Sequence, residues 1–287
     1  MKPPPFAYAC PTEIDEALDL LADAGEDAKL IAGGQSLMPL LAYRLARPSH
    51  LVDIGRIEGM AGLAEVDGGL SVGALVRHAE LERRIDLPAP WQALTEAAGL
   101  IGHYPIRVRG TFGGSLAHAD PAAELPVVAT ALGADLVVRS RSSSRTIPIE
   151  EFFAGPFMTV LEPDEMLIRV DFRPAPAGQR SAFEEFSTRH GDFATAAVAV
   201  ALVLDEDGRA HDVRIALGAV GPSPIRVTSA ESLLEGSWLQ DSEVAAAGRL
   251  AAGACPEFGD ARNTSEFRHE LVDVLLRRAL RRLKEAA

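Results

Sequence analysis

Cysteine is almost missing from this chain. Cys10 and Cys255 are the two present among 287 residues, far apart and without CxxC spacing. That excludes an iron–sulfur cluster or a structural zinc held by this chain alone. It is the usage of a reducing compartment, so cytoplasmic residence is expected. The seven His are scattered without metal-ligand spacing, and no metal ligand is assigned. Positive charge is also scarce: 28 Lys and Arg against 41 Asp and Glu leave a net charge of −13. A nucleic acid or an anionic membrane is therefore not the expected partner. No apolar run is long enough to span a bilayer, so no membrane insertion is expected. The longest, Ala194–Leu204, reads as a buried strand. The start, Met1-Lys2-Pro3-Pro4-Pro5, has no apolar h-region, so no signal peptide is expected. Three fingerprints are missing as well: GxGxxG in a βαβ unit, a Walker A lysine, and a GxSxG elbow. A Rossmann site and a P-loop are thereby excluded, and nucleophilic catalysis finds little support.

What is present is glycine in pairs. The stretch Ile31-Ala32-Gly33-Gly34-Gln35-Ser36-Leu37-Met38-Pro39 follows an apolar strand end. Glycine lacks Cβ and adopts positive φ, so backbone amides can approach a ligand. Consecutive amides in such a turn, with a helix start behind them, form an anion-binding concavity. The other reading is a tight strand-to-helix turn. A second stretch, Arg107-Val108-Arg109-Gly110-Thr111-Phe112-Gly113-Gly114-Ser115-Leu116-Ala117-His118-Ala119-Asp120-Pro121, again places paired glycines beside a hydroxyl, and is read as a second loop on a strand end. Two such loops could clamp one long phosphorylated ligand, a dinucleotide being the obvious candidate. His118 and Asp120 are either a proton-transfer pair or shapers of the loop.

Around these stretches the periodicity gives a mixed α+β chain. Thr12-x-x-Asp15 reads as a capping box before a helix with Ile14, Ala17, Leu18 and Leu21 on one face, stopped at Gly25. Strands are expected at Lys29–Ala32 and His50–Ile54, with Leu37–Leu45 interrupted at Pro39. Met60–Val66 and Leu70–Ala74 form a hairpin about Asp67-Gly68-Gly69. Helices follow at Arg77–Arg84, Trp91–Leu100 and Ala122–Leu132, then strands at Asp135–Arg139, Thr146–Ile149 and Met166–Phe172. Pro174-Ala175-Pro176-Ala177-Gly178 is the linker candidate. Beyond it come antiparallel strands Ala182–Arg189, Ala194–Leu204 and His211–Val220, then helices at Ser229–Leu234, Asp241–Ala252 and Ser265–Leu283. The last carries an Arg/Lys-rich face, read as a solvated face or as a surface for a partner.

The motifs Ala32 to Pro39 and Arg109 to Pro126 resemble the FAD-binding medium subunit of molybdenum hydroxylases. That group includes aerobic carbon monoxide dehydrogenase, xanthine dehydrogenase and N-heterocycle dehydrogenases. The resemblance covers essentially the whole chain, with Leu51-Val52-Asp53-Ile54 and Phe183–Phe193 adding to it. It implies an α+β fold: a two-subdomain FAD-binding fold of the vanillyl-alcohol-oxidase (PCMH) type over 1–176, split at about 57/58, then a C-terminal α+β domain over 179–287 with a small antiparallel sheet and helices. It implies that amides of Ala32, Gly33, Gly34, Gln35 and Ser36 hold the FAD pyrophosphate with Leu37 beside it. Thr111, Gly114 and Ser115 would lie along the flavin or its ribityl chain, His118 and Glu124 would complete the second loop, and Leu167 would lie near the adenine or flavin edge. No catalytic side chain is assigned. The implied role is electron transfer within a heteromer. A large subunit would carry the molybdenum cofactor and a small one two [2Fe–2S] clusters, in a dimer of heterotrimers. Two other readings stay open: a self-sufficient flavin oxidase or reductase, and a non-catalytic nucleotide-binding module.

Several positions depart from the family's pattern. Val108 replaces an Asn, and Phe112 replaces a small aliphatic residue. Where some members bring a lysine or tyrosine to the flavin, this chain has Glu184 or Glu185, and Phe193. Phe112 is expected either to lie against the isoalloxazine or to fill space beneath the loop.

Overall fold

The computed structural model describes residues 2–261 and 263–286. In chain order, β1 (Ala7–Ala9), α1 (Ile14–Ala24), β2 (Ala28–Ile31), α2 (Leu37–Ala42) and β3 (His50–Asp53) form the first unit. The sheet order is β1-β3-β2, and both outer strands pair with β3 in parallel. α1 buries Ala17, Leu18 and Leu21 and ends at Gly25 with φ +58. The expected capping box does not form: Glu13 is the N-cap, without a side-chain cap bond. β1 gives no sequence signal, being short and mostly exposed. It is tied down by the Tyr8 hydroxyl, which donates to Asp53 Oδ2 at 2.7 Å.

The second unit is a five-stranded antiparallel sheet ordered β4-β5-β10-β6-β7. Its strands are β4 (Leu63–Val66), β5 (Gly69–Gly73), β6 (Ala134–Arg139), β7 (Ser144–Pro148) and β10 (Met166–Phe172). The β4–β5 turn puts Asp67 and Gly68 at φ +49 and +79, as a two-residue hairpin requires. β10 arrives last and inserts centrally between β5 and β6, which is why it is apolar almost throughout. Between β5 and β6 run α3 (His78–Arg83), α4 (Gln92–Leu100), α5 (Tyr104–Arg107), α6 (Phe112–His118) and α7 (Glu124–Leu132). After β7 come α8 (Ile149–Phe152) and the small pair β8 (Phe153–Gly155) and β9 (Met158–Thr159).

The third unit is an antiparallel sheet, β11 (Gln179–Phe186), β12 (Ala196–Leu204), β13 (Ala210–Gly218) and β14 (Ile225–Arg226), backed by α9 (Thr228–Leu234), α10 (Asp241–Ala254) and α11 (Ser265–Glu285). β12 explains its apolar run. Val198, Val200 and Leu202 enter the core under the helices, while Ala197 and Ala199 join the core shared with α4 and α7. A strand covered on both faces has no polar alternation. The small face lets α7 come close: a Cβ on Gly218 would sit 2.2 Å from Val127 Cγ2. α7 is thus wrapped on every side, and Glu124 through Ala131 are all buried.

The Arg-rich face of α11 is spent inside the chain. Arg277 pairs with Asp273, Arg278 with Glu184, Arg281 with Asp241, and Arg282 with both Glu96 and Glu184. Acids on α4, β11 and α10 pair with it, and Arg278, Arg281 and Arg282 stay partly exposed, as on a solvated face.

Candidate functional site

The first glycine stretch is built as expected. β2 ends at Ile31, Gly33 is buried, Gly34 turns the chain at φ +72, and α2 begins at Leu37. Pro39 does not break α2, because it lies in the first turn, where its missing N–H has no intrahelical partner to lose. Gln35 Nε2 donates to the Gly33 carbonyl at 2.9 Å, and Met38 N donates to the Gly34 carbonyl at 3.0 Å. Among the described residues, the amides of Gly33, Gly34, Gln35 and Ser36 donate to no protein acceptor. A run of donors without protein acceptors, on a turn that leads from a buried glycine to exposed Ser36, is the arrangement an anion completes.

The second stretch differs from the loop expected. Gly113 and Gly114 lie within α6, not on a strand end. Thr111 is the N-cap, and its Oγ1 accepts from Gly114 N at 3.1 Å. Glycine is a poor helix former, but here tertiary contact decides. Phe112 N donates to Val76 O and Gly113 N to Ala74 O, both at 2.9 Å. A Cβ on Gly113 would meet Ala74 Cβ at 2.5 Å, so only glycine permits this approach. The same junction reaches β10, because Ala74 N donates to Ile168 O at 2.9 Å. Leu167, next in line, is buried in the core.

Two side chains not singled out from the sequence hold this junction. Buried His78 places Nε2 2.9 Å from the Thr111 carbonyl, which fixes Nε2 as the protonated nitrogen, and its Nδ1 abuts Gly110. Burial pushes its pKa down to about 4, so the ring is neutral. Arg77 Nη1 donates to the Arg109 carbonyl. That carbonyl is the atom a Cβ on Gly33 would strike, at 2.2 Å. The two glycine stretches therefore touch, Gly33 resting against Arg109-Gly110. Buried Arg107 anchors the preceding turn through Glu82 at 2.8 and 3.0 Å and through the carbonyls of Ile101 and Gly102. A lone basic residue outside a motif carries no local sequence signal; only the chain path brings Arg77 and His78 here.

Gly114, Ser115 and His118 are partly exposed on α6. Burial lowers the His118 pKa, and its ring packs 5.2 Å from Phe157. Asp120 Oδ1 accepts from Ala122 N at 2.9 Å, and among the described residues no hydrogen bond joins it to His118. The Asp120 bond shapes the turn, which supports the second of the two readings for that residue. Glu124 sits buried at the start of α7. Its pKa is pushed up to about 8, by burial first and by Glu185 second. Glu185 is itself raised by burial to about 7, and its Oε2 has no hydrogen-bond partner among the described residues. Glu184 is held by Arg278 and Arg282, while Phe193 is 71% exposed. For Phe112 the structure favours the second of the two expectations: it is 0% exposed and packed 6.3 Å from Phe172 in the core. It fills space beneath α6.

Fold and site together define a carrier of a phosphorylated cofactor: a free-amide cradle, a second glycine segment pressed against it, and a sheet edge alongside. Residues 4–174 match the model described as "FAD binding domain in molybdopterin dehydrogenase", and residues 181–283 match "CO dehydrogenase flavoprotein C-terminal domain". The chain is 42% identical to the 6-hydroxypseudooxynicotine dehydrogenase complex subunit alpha of Paenarthrobacter nicotinovorans, over 98% of this chain and 95% of that one. It is 35% identical to the carbon monoxide dehydrogenase medium chain of Hydrogenophaga pseudoflava, over 98% and 97%. Among solved structures, quinoline 2-oxidoreductase from Pseudomonas putida 86 superposes with a TM-score of 0.93 at 36% identity, covering 100% of this chain and 99% of that one. The chain belongs to the family of FAD-binding medium subunits of molybdenum hydroxylases, and FAD is its cofactor. The donor set fits: the pyrophosphate of FAD is an anion that the unused amides of Gly33 to Ser36 can complete.

Proposed function

We propose that this chain serves its complex by holding FAD in the cradle at Gly33-Gly34 and that substrate chemistry is performed on another subunit. The unused amides of Gly33 to Ser36, pressed against Arg109-Gly110, carry this reading. Ala32, Gly33, Gly34, Gln35 and Ser36 would hold the pyrophosphate, with Leu37 beside them. Thr111, Gly114 and Ser115 would line the flavin or ribityl chain. His118 and Glu124 would close the second segment, and Leu167 would support the cofactor edge from β10. Bound FAD supplies reversible electron storage, which suits a chain that relays electrons from [2Fe–2S] clusters to an external acceptor. The partners are a large molybdenum-binding subunit and a small iron–sulfur subunit, in a dimer of heterotrimers within the cytoplasm. The boundary between the FAD-binding and C-terminal domains lies at Pro174–Gly178, and subdomains of the first part meet at about 57/58.

Purification of the tagged chain from its native host tests this reading. It is expected to bring down two further subunits, with FAD, iron and molybdenum in the complex, and light scattering is expected to give twice the mass of one heterotrimer. A lone flavoprotein that oxidises substrate by itself would favour a self-sufficient oxidase. In the isolated chain, Gly33→Val is expected to abolish flavin retention while α9–α11 and their sheet stay folded; stoichiometric FAD in that variant would move the pyrophosphate elsewhere.

A further inference from the structure

Among the described residues, thirteen arginines find a carboxylate partner, from Arg84 beside Asp86 to Arg282 beside Glu96 and Glu184. Arg77 and Arg109 form no ion pair among the described residues. They stand together at the contact between the two glycine segments. Arg77 is partly buried, and its one hydrogen bond, from Nη1, goes to the Arg109 carbonyl. Its remaining guanidinium donors have no protein acceptor among the described residues. The acid whose charge Arg77 feels is Asp53, and that carboxylate is already engaged by neutral donors: Gly55 N at 2.9 Å and the Tyr8 hydroxyl at 2.7 Å. Burial and the neighbouring charge of Arg109 both work against the charged form of Arg77, lowering its pKa. A half-desolvated guanidinium beside a like charge, with spare donors, is an arrangement that protein groups alone leave unfavourable.

We infer that Arg77, with Arg109 behind it, is the counter-charge for the cofactor's pyrophosphate, binding the phosphate oxygens that the amides of Gly33 to Ser36 face. The inference rests on the assignment of that cradle to the pyrophosphate. The charge count agrees: the diphosphate diester of FAD carries two negative charges, and beside the Gly33 loop stand two arginines without an ion pair among the described residues, close enough that the charge of one is felt by the other. Backbone amides supply direction but only partial charge. Arginine supplies a full charge and a planar fork that matches phosphate oxygens. Arg77 is so placed that its bond to the Arg109 carbonyl locks the guanidinium against Gly33 before any ligand arrives.

The test uses the full chain stripped of flavin. FAD affinity is read by quenching of flavin fluorescence at several KCl concentrations. For Arg77→Gln, FAD binding is expected to weaken roughly ten- to hundredfold, the usual worth of a charge-assisted bond. Its salt dependence is expected to be shallower than that of the wild type, because one screened attraction is gone. Arg77→Lys keeps the charge without the fork, so it is expected to keep the wild-type salt slope and lose less affinity. Arg109→Gln, at an exposed position, is expected to fold as the wild type does and to flatten the slope as well. Melting of the flavin-free variants checks folding independently of binding. Unchanged affinity in Arg77→Gln overturns the inference. So does weaker binding with the wild-type salt slope, which would make Arg77 only a clasp on the Arg109 carbonyl. Gly33→Val separates the two levels: if it retains FAD, the cradle assignment fails; if it loses FAD while Arg77→Gln binds normally, only the counter-charge fails.

Discussion

Glu124 and His78 are buried ionisable side chains that the fold keeps uncharged, and they pull stability in opposite directions with pH. His78 titrates near 6.5 when unfolded and at about 4 when folded. Between these values the unfolded chain binds the extra proton, so the stability His78 contributes is present above pH 6.5 and is lost as pH falls toward 4. The loss is on the order of 3 kcal/mol when complete. Glu124 has the reverse sign: raised from 4.5 to about 8, it contributes stability below pH 4.5 that is lost as pH climbs toward 8. Glu185, raised to about 7, adds to the same trend. Urea midpoints of the flavin-free chain at pH 5, 6.5 and 8 check this. His78→Gln is expected to flatten the limb below pH 6.5. Glu124→Gln is expected to raise the midpoint at pH 8 and leave pH 5 nearly unchanged. At the same scale, Phe112→Ile removes ring volume from a full core and is expected to cost about 1–2 kcal/mol. Since its ring faces Phe172, flavin reoxidation by oxygen is expected to match the wild type.

Among the elements, α6 and α11 show how neighbours override local preference. Two glycines in the first turn of α6 argue against a helix, yet the Thr111 cap and the bond from Gly113 N to Ala74 O impose one. Gly113→Ala, which would raise intrinsic helix propensity, is expected to destabilise the chain, because the added methyl lands 2.5 Å from Ala74 Cβ. The measurement is a thermal melt, and any gain in Tm would contradict the packing described. α11 holds its register through Arg282, which reaches Glu96 on α4 at 2.6 Å and Glu184 on β11 at 3.2 Å. The pairs are partly solvated, so Arg282→Ala is expected to cost about 1 kcal/mol, falling with added salt.

For the molecule as a whole, the C-terminal sheet is a wall of the first domain's core. Phe183, Ala194, Ala197, Ala199, Ala216 and Ala219 share a cluster with residues of α4, α7 and the central sheet. Chain folding into separate sheets does not make the units independent. A fragment covering 1–176 would expose the apolar sides of α4 and α7 and is expected to aggregate or melt far below the full chain. Size exclusion and circular dichroism would show this, and a monomeric fragment with the full chain's Tm would contradict it. The same interface places buried Glu124 against Glu185, so the acid pair exists only in the joined molecule.

Much of the architecture was legible in local pattern. Helical periodicity marked α1 and α11, the Asp-Gly turn marked the β4–β5 hairpin, and the apolar run marked β12. So was the local arrangement at Gly33-Gly34, a turn behind a strand and before a helix, and the two long motifs identified the family. These features are determined by neighbours along the chain. β1, α5 and the helical state of Gly113-Gly114 were not legible: the first two are too short to show a period, and the third depends on Ala74. Nor was the burial of Phe112, the neutral state of His78, or the meeting of Arg77 with the Gly33 loop. Each is a contact between residues distant in sequence, and burial, which sets both packing and charge state, comes into being only when the sheets and helices close over one another.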